Sequence, residues 1–319
     1  MSSIPKKILM LFGNLIIDDK KEIAKLNKLD FFSKILETKY IENDEFISYY
    51  FQFAFWFFGN CIQELIKQPF LLHSIISITD YIIVSKDNPL ILESLKFINQ
   101  LGDQFKRNGE ITKFAIYNPE IIFNLLGREF FGVKFNALKI LIHMNFPESF
   151  FTQEKLMYII TFIYEETNVN LIKEALILMK IFLKKKRFKN IIYIINLNRF
   201  CEILNCYQSL TIQIVELFSS IIELIENPNE LEIISNTTLL EVVLELLKRQ
   251  NHSALEQYNL YELLTNLFYI HEKFDSNKRK LLDKFEYLGG IEILSNQNHK
   301  ENLDMRKMVC DLYCTNMNN

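Results

Sequence analysis

Apolar residues recur at helical spacing in segments spread along the whole chain. In the segments 119–126 and 238–247 they fall three or four positions apart, which is the spacing of a helix that buries one face. Short polar breaks that contain Asn, Asp, Ser or Pro separate such segments, as at 86–89 and 226–229. Pro119 is expected in the first turn of its helix, where the missing N–H is not needed. The pattern predicts helices joined by short connections.

Several of these segments repeat one another. Met10–Ile16 and Trp56–Ile62 are near-copies that share Phe-Gly-Asn. Further amphipathic segments fall into the same frame at 95–101, 138–144, 176–182, 214–220, 260–266 and 307–313. A period of about 40 residues is typical of armadillo and HEAT repeats, which are units of two or three helices. We therefore predict an all-α fold, a right-handed armadillo/HEAT-type α-solenoid of about eight repeats, built as a single domain over residues 1–319.

Composition supports this fold and excludes several classes of protein. The 319 residues include only 8 Gly and 6 Pro, too few for the turns of an all-β sandwich or the glycine loops of a nucleotide-binding α/β domain. Hydrophobic residues make up 49% of the chain, which is enough for a large core. The formal net charge of −3 argues against a globally basic nucleic-acid-binding protein.

Residues that could carry catalytic or metal chemistry are scattered. The five Cys and five His residues lack the spacing of zinc ligands, and we find no motif of hydrolases, metalloproteases or phosphate-binding loops. We expect no enzyme activity, no catalytic residue, no metal and no cofactor. Reduced thiols, and an apolar run after Lys7 that is too short to span a bilayer, favour a soluble protein inside the cell without a membrane partner.

One strongly basic run, Lys184–Arg187, has two interpretations. It could bind nucleic acid or act as a nuclear signal. It also comes at the end of a predicted helix, where the helix dipole favours cations without any partner. The second interpretation is preferred, so nucleic acid is not an expected partner.

Three consecutive repeats carry the same polar pattern. In each, a large apolar residue, an Asn and a carboxylate follow at intervals of four, which keeps them on one face of a helix. The sets are Met10, Asn14 and Asp18; Trp56, Asn60 and Glu64; and Leu95, Asn99 and Asp103. We predict that Trp56 is partly exposed beside Asn60 and Asn99. Amides can bond a peptide backbone, and aromatic rings and carboxylates can hold lysines, so this face is expected to bind an extended basic peptide.

The segment Gln52–Asn60 (QFAFWFFGN) resembles the third-helix motif of importin-α, the armadillo adaptor family that binds nuclear localisation signals, in which a Trp-x-x-x-Asn pair recurs. A second segment, Leu288–Glu301, resembles the last repeat of that family, where Gly-Gly opens a helix. This chain differs from the family in having a single Trp, with Met10 and Leu95 in the equivalent places, and in lacking the basic N-terminal segment by which importin-α binds importin-β.

The resemblance implies roles for the polar sets. Trp56 would form a wall for the aliphatic stem of a ligand Lys or Arg. The amides would bond the ligand backbone and the carboxylates would neutralise its ammonium groups; these residues are Asn14, Asn60 and Asn99, and Asp18, Glu64 and Asp103.

The resemblance also implies a non-enzymatic adaptor of the cytoplasm and nucleus. Its partners would be a Lys/Arg-rich nuclear localisation signal or the cargo protein that carries it, and an importin-β-type transport receptor. The residues themselves leave an alternative open, namely an armadillo or HEAT scaffold subunit that binds a protein partner in a larger assembly.

Overall fold

The all-α prediction is confirmed by the computed structural model. It describes residues 7, 10, 11, 14, 23, 25, 30–39, 41–109, 119–144, 146–185, 188, 191–249, 252–274, 278–296, 307–311, 313 and 314. These residues form α-helices, short 3₁₀ turns and connections, and none of them lies in a β-strand. The chain divides into two compact units, Met1–Phe150 and Phe151–Asn319. A single domain over the whole chain stays a prediction.

Unit 1 follows the predicted order of helices and short breaks. Its helices are α1 (Phe31–Leu36), α2 (Glu45–Asn60), α3 (Ile62–Leu65), α4 (Pro69–Ile83), α5 (Asn88–Arg107), α6 (Pro119–Asn124) and α7 (Phe131–His143), with 3₁₀ turns at Leu125–Gly127 and Glu148–Phe150. Helices α2, α5 and α7 pack side by side in that order and are called the central row below. Helix α4 packs against α1 and α5, and α6 packs against α7.

The polar breaks of unit 1 start its helices by capping them. Asp44 accepts hydrogen bonds from the backbone N–H groups of Phe46 and Ile47, at 3.0 and 3.1 Å. Asp87 accepts one from Leu90 N–H at 3.1 Å. These caps satisfy N–H groups that the first turn of a helix leaves free. The Ser48 hydroxyl donates to the second oxygen of Asp87, which joins the starts of α2 and α5.

Phenylalanine rings fill the space between α2 and α5. The ring of Phe97 lies 5.9 Å from that of Phe55 and 6.4 Å from that of Phe58. Phe57 faces the other side and lies 5.8 Å from Phe32 of α1. All of these rings are buried. Burial of such rings and their edge contacts holds the central row together.

Unit 2 has the same kind of architecture. Its helices are α8 (Gln153–Glu165), α9 (Val169–Lys185), α10 (Ile191–Ile194), α11 (Leu197–Cys206), α12 (Thr211–Ile222), α13 (Pro228–Ser235), α14 (Leu239–Lys248), α15 (Ala254–Phe274), α16 (Lys278–Tyr287) and α17 (Gly290–Asn296), with a 3₁₀ turn at Gln208–Leu210. Helices α9, α12 and α15 form a row, α8 packs on α9, and α14 contacts α11, α15 and α17.

Two sequence features of unit 2 have clear structural counterparts. Lys184 and Lys185 lie in the last turn of α9, where the helix dipole favours cations; residues 186 and 187 lie outside the described residues. Gly289 has a φ of +72°, and Gly290 begins α17, so the Gly-Gly pair opens a helix as expected. The stretch from 297 to 306 is not among the described residues.

Candidate peptide-binding cleft

Trp56 lines a cleft on the surface of unit 1. The side chain is half-buried on α2, so its predicted partial exposure is confirmed. The cleft has a volume of about 330 Å³, and its other lining residues are Met10, Asn14, Gln52, Phe53 and Glu93. Met10 and Asn14 are helical and exposed. The structure thus brings together residues from the first two predicted sets.

Three lining residues were not among the predicted site residues. Gln52 and Phe53 precede Trp56 by about one helical turn, so the i, i+3 and i+4 spacing was a signal that could have found them. Glu93 comes from α5 and reaches the cleft because α5 packs beside α2. No spacing within one helix would have identified Glu93.

The third predicted set is out of register by one residue. Leu95 was expected in the place of Trp56, but its side chain is 0% exposed, so it cannot form a wall of the groove. The burial pattern of α5 matches that of α2 when Lys96 stands opposite Trp56. One residue turns a side chain by about 100° around a helix, which moves Leu95 from the open face into the core.

The second predicted set is interrupted. Helix α2 ends at Asn60, and Glu64 lies in the separate four-residue helix α3 after a break at Cys61. The Glu64 carboxylate is 2.7 Å from Lys67 Nζ. The prediction that Trp56, Asn60 and Glu64 share one straight helix face is therefore wrong.

Two predicted asparagines, Asn60 and Asn99, do not line the cleft but keep unused hydrogen-bonding capacity. Asn99 Nδ2 donates to the side-chain and backbone oxygens of Asn136 on α7, at 2.9 and 3.2 Å. Asn99 Oδ1 and Asn60 Nδ2 are both buried and find no hydrogen-bond partner within the described structure. An acceptor and a donor left unpaired in this way are costly unless a further group bonds them.

The remaining predicted site residues have different surroundings. Asp103 lies on the exposed side of α5. Gln100 reaches across from α5 to Gly59, where a Cβ would come within 2.1 Å of its Oε1. Asp18 falls outside the described residues. The charge expected from Asp18, Glu64 and Asp103 is thus not placed in the cleft by any described contact.

Among the described residues that line the cleft, Glu93 is the one carboxylate, and it already has a partner. Its Oε1 lies 2.6 Å from Lys96 Nζ, one helical turn further along α5. The lysine is about half exposed, so water screens this ion pair and limits its strength. A second cation that entered the cleft would compete with Lys96 for Glu93.

Reactive thiols, metal clusters and membrane-spanning helices were also sought in the described residues. Burial raises the pKa of the Cys61 thiol to about 12 and that of Cys201 to about 11, which suppresses the reactive thiolate. No cluster of three or more His, Cys, Asp or Glu side chains capable of holding a metal is found among the described residues. None of the described helices combines the length and apolarity that a membrane crossing requires.

Three solved structures with a similar architecture are engineered or designed proteins. An engineered protein matches with a TM-score of 0.68 and 12% sequence identity, over 95% of this chain and 73% of its own. A second engineered protein gives 0.54 at 12% identity, over 75% and 96%. A designed armadillo repeat protein gives 0.50 at 12% identity, over 74% and 98%. The chain has an armadillo-type α-solenoid fold. Neither a known protein family nor a curated protein sequence matches it.

Proposed function

We propose that this armadillo-type chain is a non-enzymatic adaptor that binds an extended peptide across the central row of unit 1, with one ligand lysine in the Trp56 cleft. Armadillo-type folds are scaffolds suited to protein binding, because stacked helices leave a long surface open. The observation that carries the proposal is the cleft itself, where a half-exposed Trp56 stands opposite the carboxylate-bearing Glu93.

The shape and chemistry of the cleft fit a lysine side chain. Trp56, Phe53 and Met10 provide apolar walls for the four-carbon stem. The ring face of Trp56 attracts the ammonium group by about 0.5–2 kcal/mol. Glu93 lines the same cleft and can accept hydrogen bonds from the ammonium group.

The asparagines of the central row suit the backbone of such a ligand. Asn60 offers an unpaired donor and Asn99 an unpaired acceptor. A peptide backbone presents one acceptor and one donor at every residue other than proline. Both asparagine atoms are buried, so a ligand backbone would bond them only after the two side chains turned outward.

The first test is a titration with a fluorescein-labelled peptide that carries a single lysine among serines, read by anisotropy at low salt. Trp56 is the only tryptophan of the chain, so its emission reports the same binding event independently. We expect Trp56→Ala to weaken binding by at least about tenfold, since aromatic anchors dominate such sites.

Phe70→Ala is the matched control for that titration. Phe70 is an exposed aromatic residue of unit 1 that does not line the Trp56 cleft. We expect it to leave the affinity unchanged. Absence of binding to the wild type, or an equal loss in both variants, would contradict the proposal.

More specifically, an importin-α-like adaptor would bind a nuclear localisation signal or the cargo protein that carries it. An importin-β-type receptor would be a further partner, and the protein would act in the cytoplasm and the nucleus. Resemblance of Gln52–Asn60 to the family motif supports this form. To test this form, a longer nuclear localisation signal is added to the complex with the labelled lysine peptide. The signal should displace the lysine peptide and produce the same change in Trp56 emission.

A scaffold that binds a folded partner is the second candidate function. It is favoured by a larger cleft of about 800 Å³ between α1 and α4, beside which Phe70 is 90% exposed. Large exposed apolar groups of this kind often mark protein interfaces. Under this alternative Phe70→Ala, and not Trp56→Ala, would weaken association with the partner.

A further inference from the structure

Each helix of the central row has one accessible side chain at the position equivalent to Trp56, on the face that we call the open face. Trp56, Lys96 and Lys139 each stand between two pairs of buried residues, on α2, α5 and α7 respectively. Since the three helices pack side by side, these residues follow one another, helix by helix, across one face of unit 1. This succession of an aromatic ring and two ammonium groups is called the line below.

Both lysines have local contacts that a ligand would alter. Lys96 Nζ lies 2.6 Å from the Glu93 carboxylate. Lys139 Nζ lies 4.7 Å from the ring centroid of Phe135, which is stacked on Phe131 at 5.7 Å. Phe131 is itself exposed, so this lysine and its two rings form part of the open surface.

A ligand lysine in the Trp56 cleft changes the charge balance of this line. If its ammonium bonds Glu93, two ammonium groups share one carboxylate, and one positive charge beside Lys96 is left uncompensated. A second basic residue of the ligand would then face Lys96 and be repelled. An acidic residue would supply the missing negative charge.

From this exchange of ion pairs, and resting on the proposed function, we infer that the ligand is a mixed-charge peptide: a lysine in the Trp56 cleft, with an acidic residue a short distance away opposite Lys96. Neighbouring helices pack about 8–10 Å apart and an extended chain advances about 3.3–3.6 Å per residue, so the separation is two or three residues. An unbroken basic run, which is the ligand of the importin-α-like form of the proposed function, fits this face less well.

The test compares three labelled peptides that differ only beside a central lysine. One has glutamates two and three residues away on both sides, one has lysines there, and one has serines. Anisotropy titrations use the full chain at low salt. We expect the glutamate peptide to bind about fivefold more tightly than the lysine peptide, the size expected when a partly exposed attraction becomes a repulsion.

Variants assign that preference to Lys96. Lys96→Gln is expected to remove most of the preference for the glutamate peptide over the serine peptide. Lys106→Gln, on the same helix but away from this line, is the matched control and should keep it. Both lysines are exposed, so neither change threatens folding.

The outcomes separate the inference from the proposed function. Tightest binding of the lysine peptide, equal binding of all three peptides, or a preference that survives Lys96→Gln overturns the inference. If Trp56→Ala still weakens every peptide in those cases, the proposed function stands. If no peptide binds, or Trp56→Ala weakens none of them, the proposed function falls and the inference falls with it.

Discussion

Leu95→Ala tests the register of the central row directly. Leu95 is 0% exposed, on a helix that packs between α2 and α7. Truncating a fully buried leucine removes its transfer free energy and leaves a cavity that closes only in part, at a cost of about 2–5 kcal/mol. Lys96→Ala, one residue on, removes an exposed side chain and should change stability by less than about 0.5 kcal/mol.

Urea unfolding measured by tryptophan fluorescence is the assay. Trp56 is the only tryptophan and belongs to unit 1, so its emission follows the unit that contains Leu95. With an m-value of about 2 kcal/mol/M, the expected loss lowers the midpoint by about 1–2.5 M at unchanged m. Far-UV circular dichroism recorded in parallel shows whether the two units unfold together.

The opposite result would refute the assigned register. If Leu95→Ala stays within about 0.5 kcal/mol of the wild type, Leu95 is not in the core. If Lys96→Ala is the more damaging of the two, the alignment of Leu95 with Trp56 is restored. Lys96 would then be the buried residue, and the ion-pair exchange inferred above would lose its basis.

Three further predictions concern burial elsewhere in the chain. Burial lowers the pKa of His271 below its usual 6.5, so its contribution to stability is complete above pH 6.5 and is lost as the pH falls below that value. The urea midpoint of unit 2 should therefore decrease between pH 7.5 and pH 5.5. The decrease should be smaller in His271→Gln. The thiols of Cys61 and Cys201, whose pKa values burial raises to about 12 and about 11, should react with Ellman's reagent only after unfolding. Gly290→Ala should cost about 1–3 kcal/mol by urea unfolding, because its Cβ would come within 2.3 Å of the buried Phe285 ring.

Each of these predictions has a result that contradicts it. Identical pH dependence in the wild type and His271→Gln would mean that this imidazole titrates alike in the folded and unfolded states. Rapid labelling of Cys61 or Cys201 in native buffer, located by mass spectrometry, would show that these thiols are accessible. Gly290→Ala should be compared with Ser295→Ala on the exposed side of α17, and equal stabilities would remove the steric argument.

Local features were predictable because each depends on residues within one or two helical turns. The apolar spacing of 238–247 became α14, and the polar break at 86–89 became the cap of α5 through Asp87. Pro119 starts α6, and Gly289 with Gly290 opens α17. Repeat length and the scarcity of Gly and Pro were likewise enough to predict an all-α repeat fold.

The half-exposed position of Trp56 also followed from its own helix. Phe55 and Phe57 on either side of it are buried, and the next half-buried positions come about one turn away. A pattern of this kind is a property of a single amphipathic helix, so no neighbouring element is needed to read it.

What the sequence by itself determined was therefore the set of helices and their repetition, and the tertiary structure decided which side chains meet on the open face. Helices of neighbouring repeats differ in length and start, so spacing alone placed Leu95 where Lys96 stands, an error of about 100° around the helix. The break at Cys61 and the arrival of Glu93 beside Trp56 depend on how α2, α3 and α5 pack. Such contacts join residues far apart in the chain, and they are settled by the fit of whole helices against one another, which no local periodicity records.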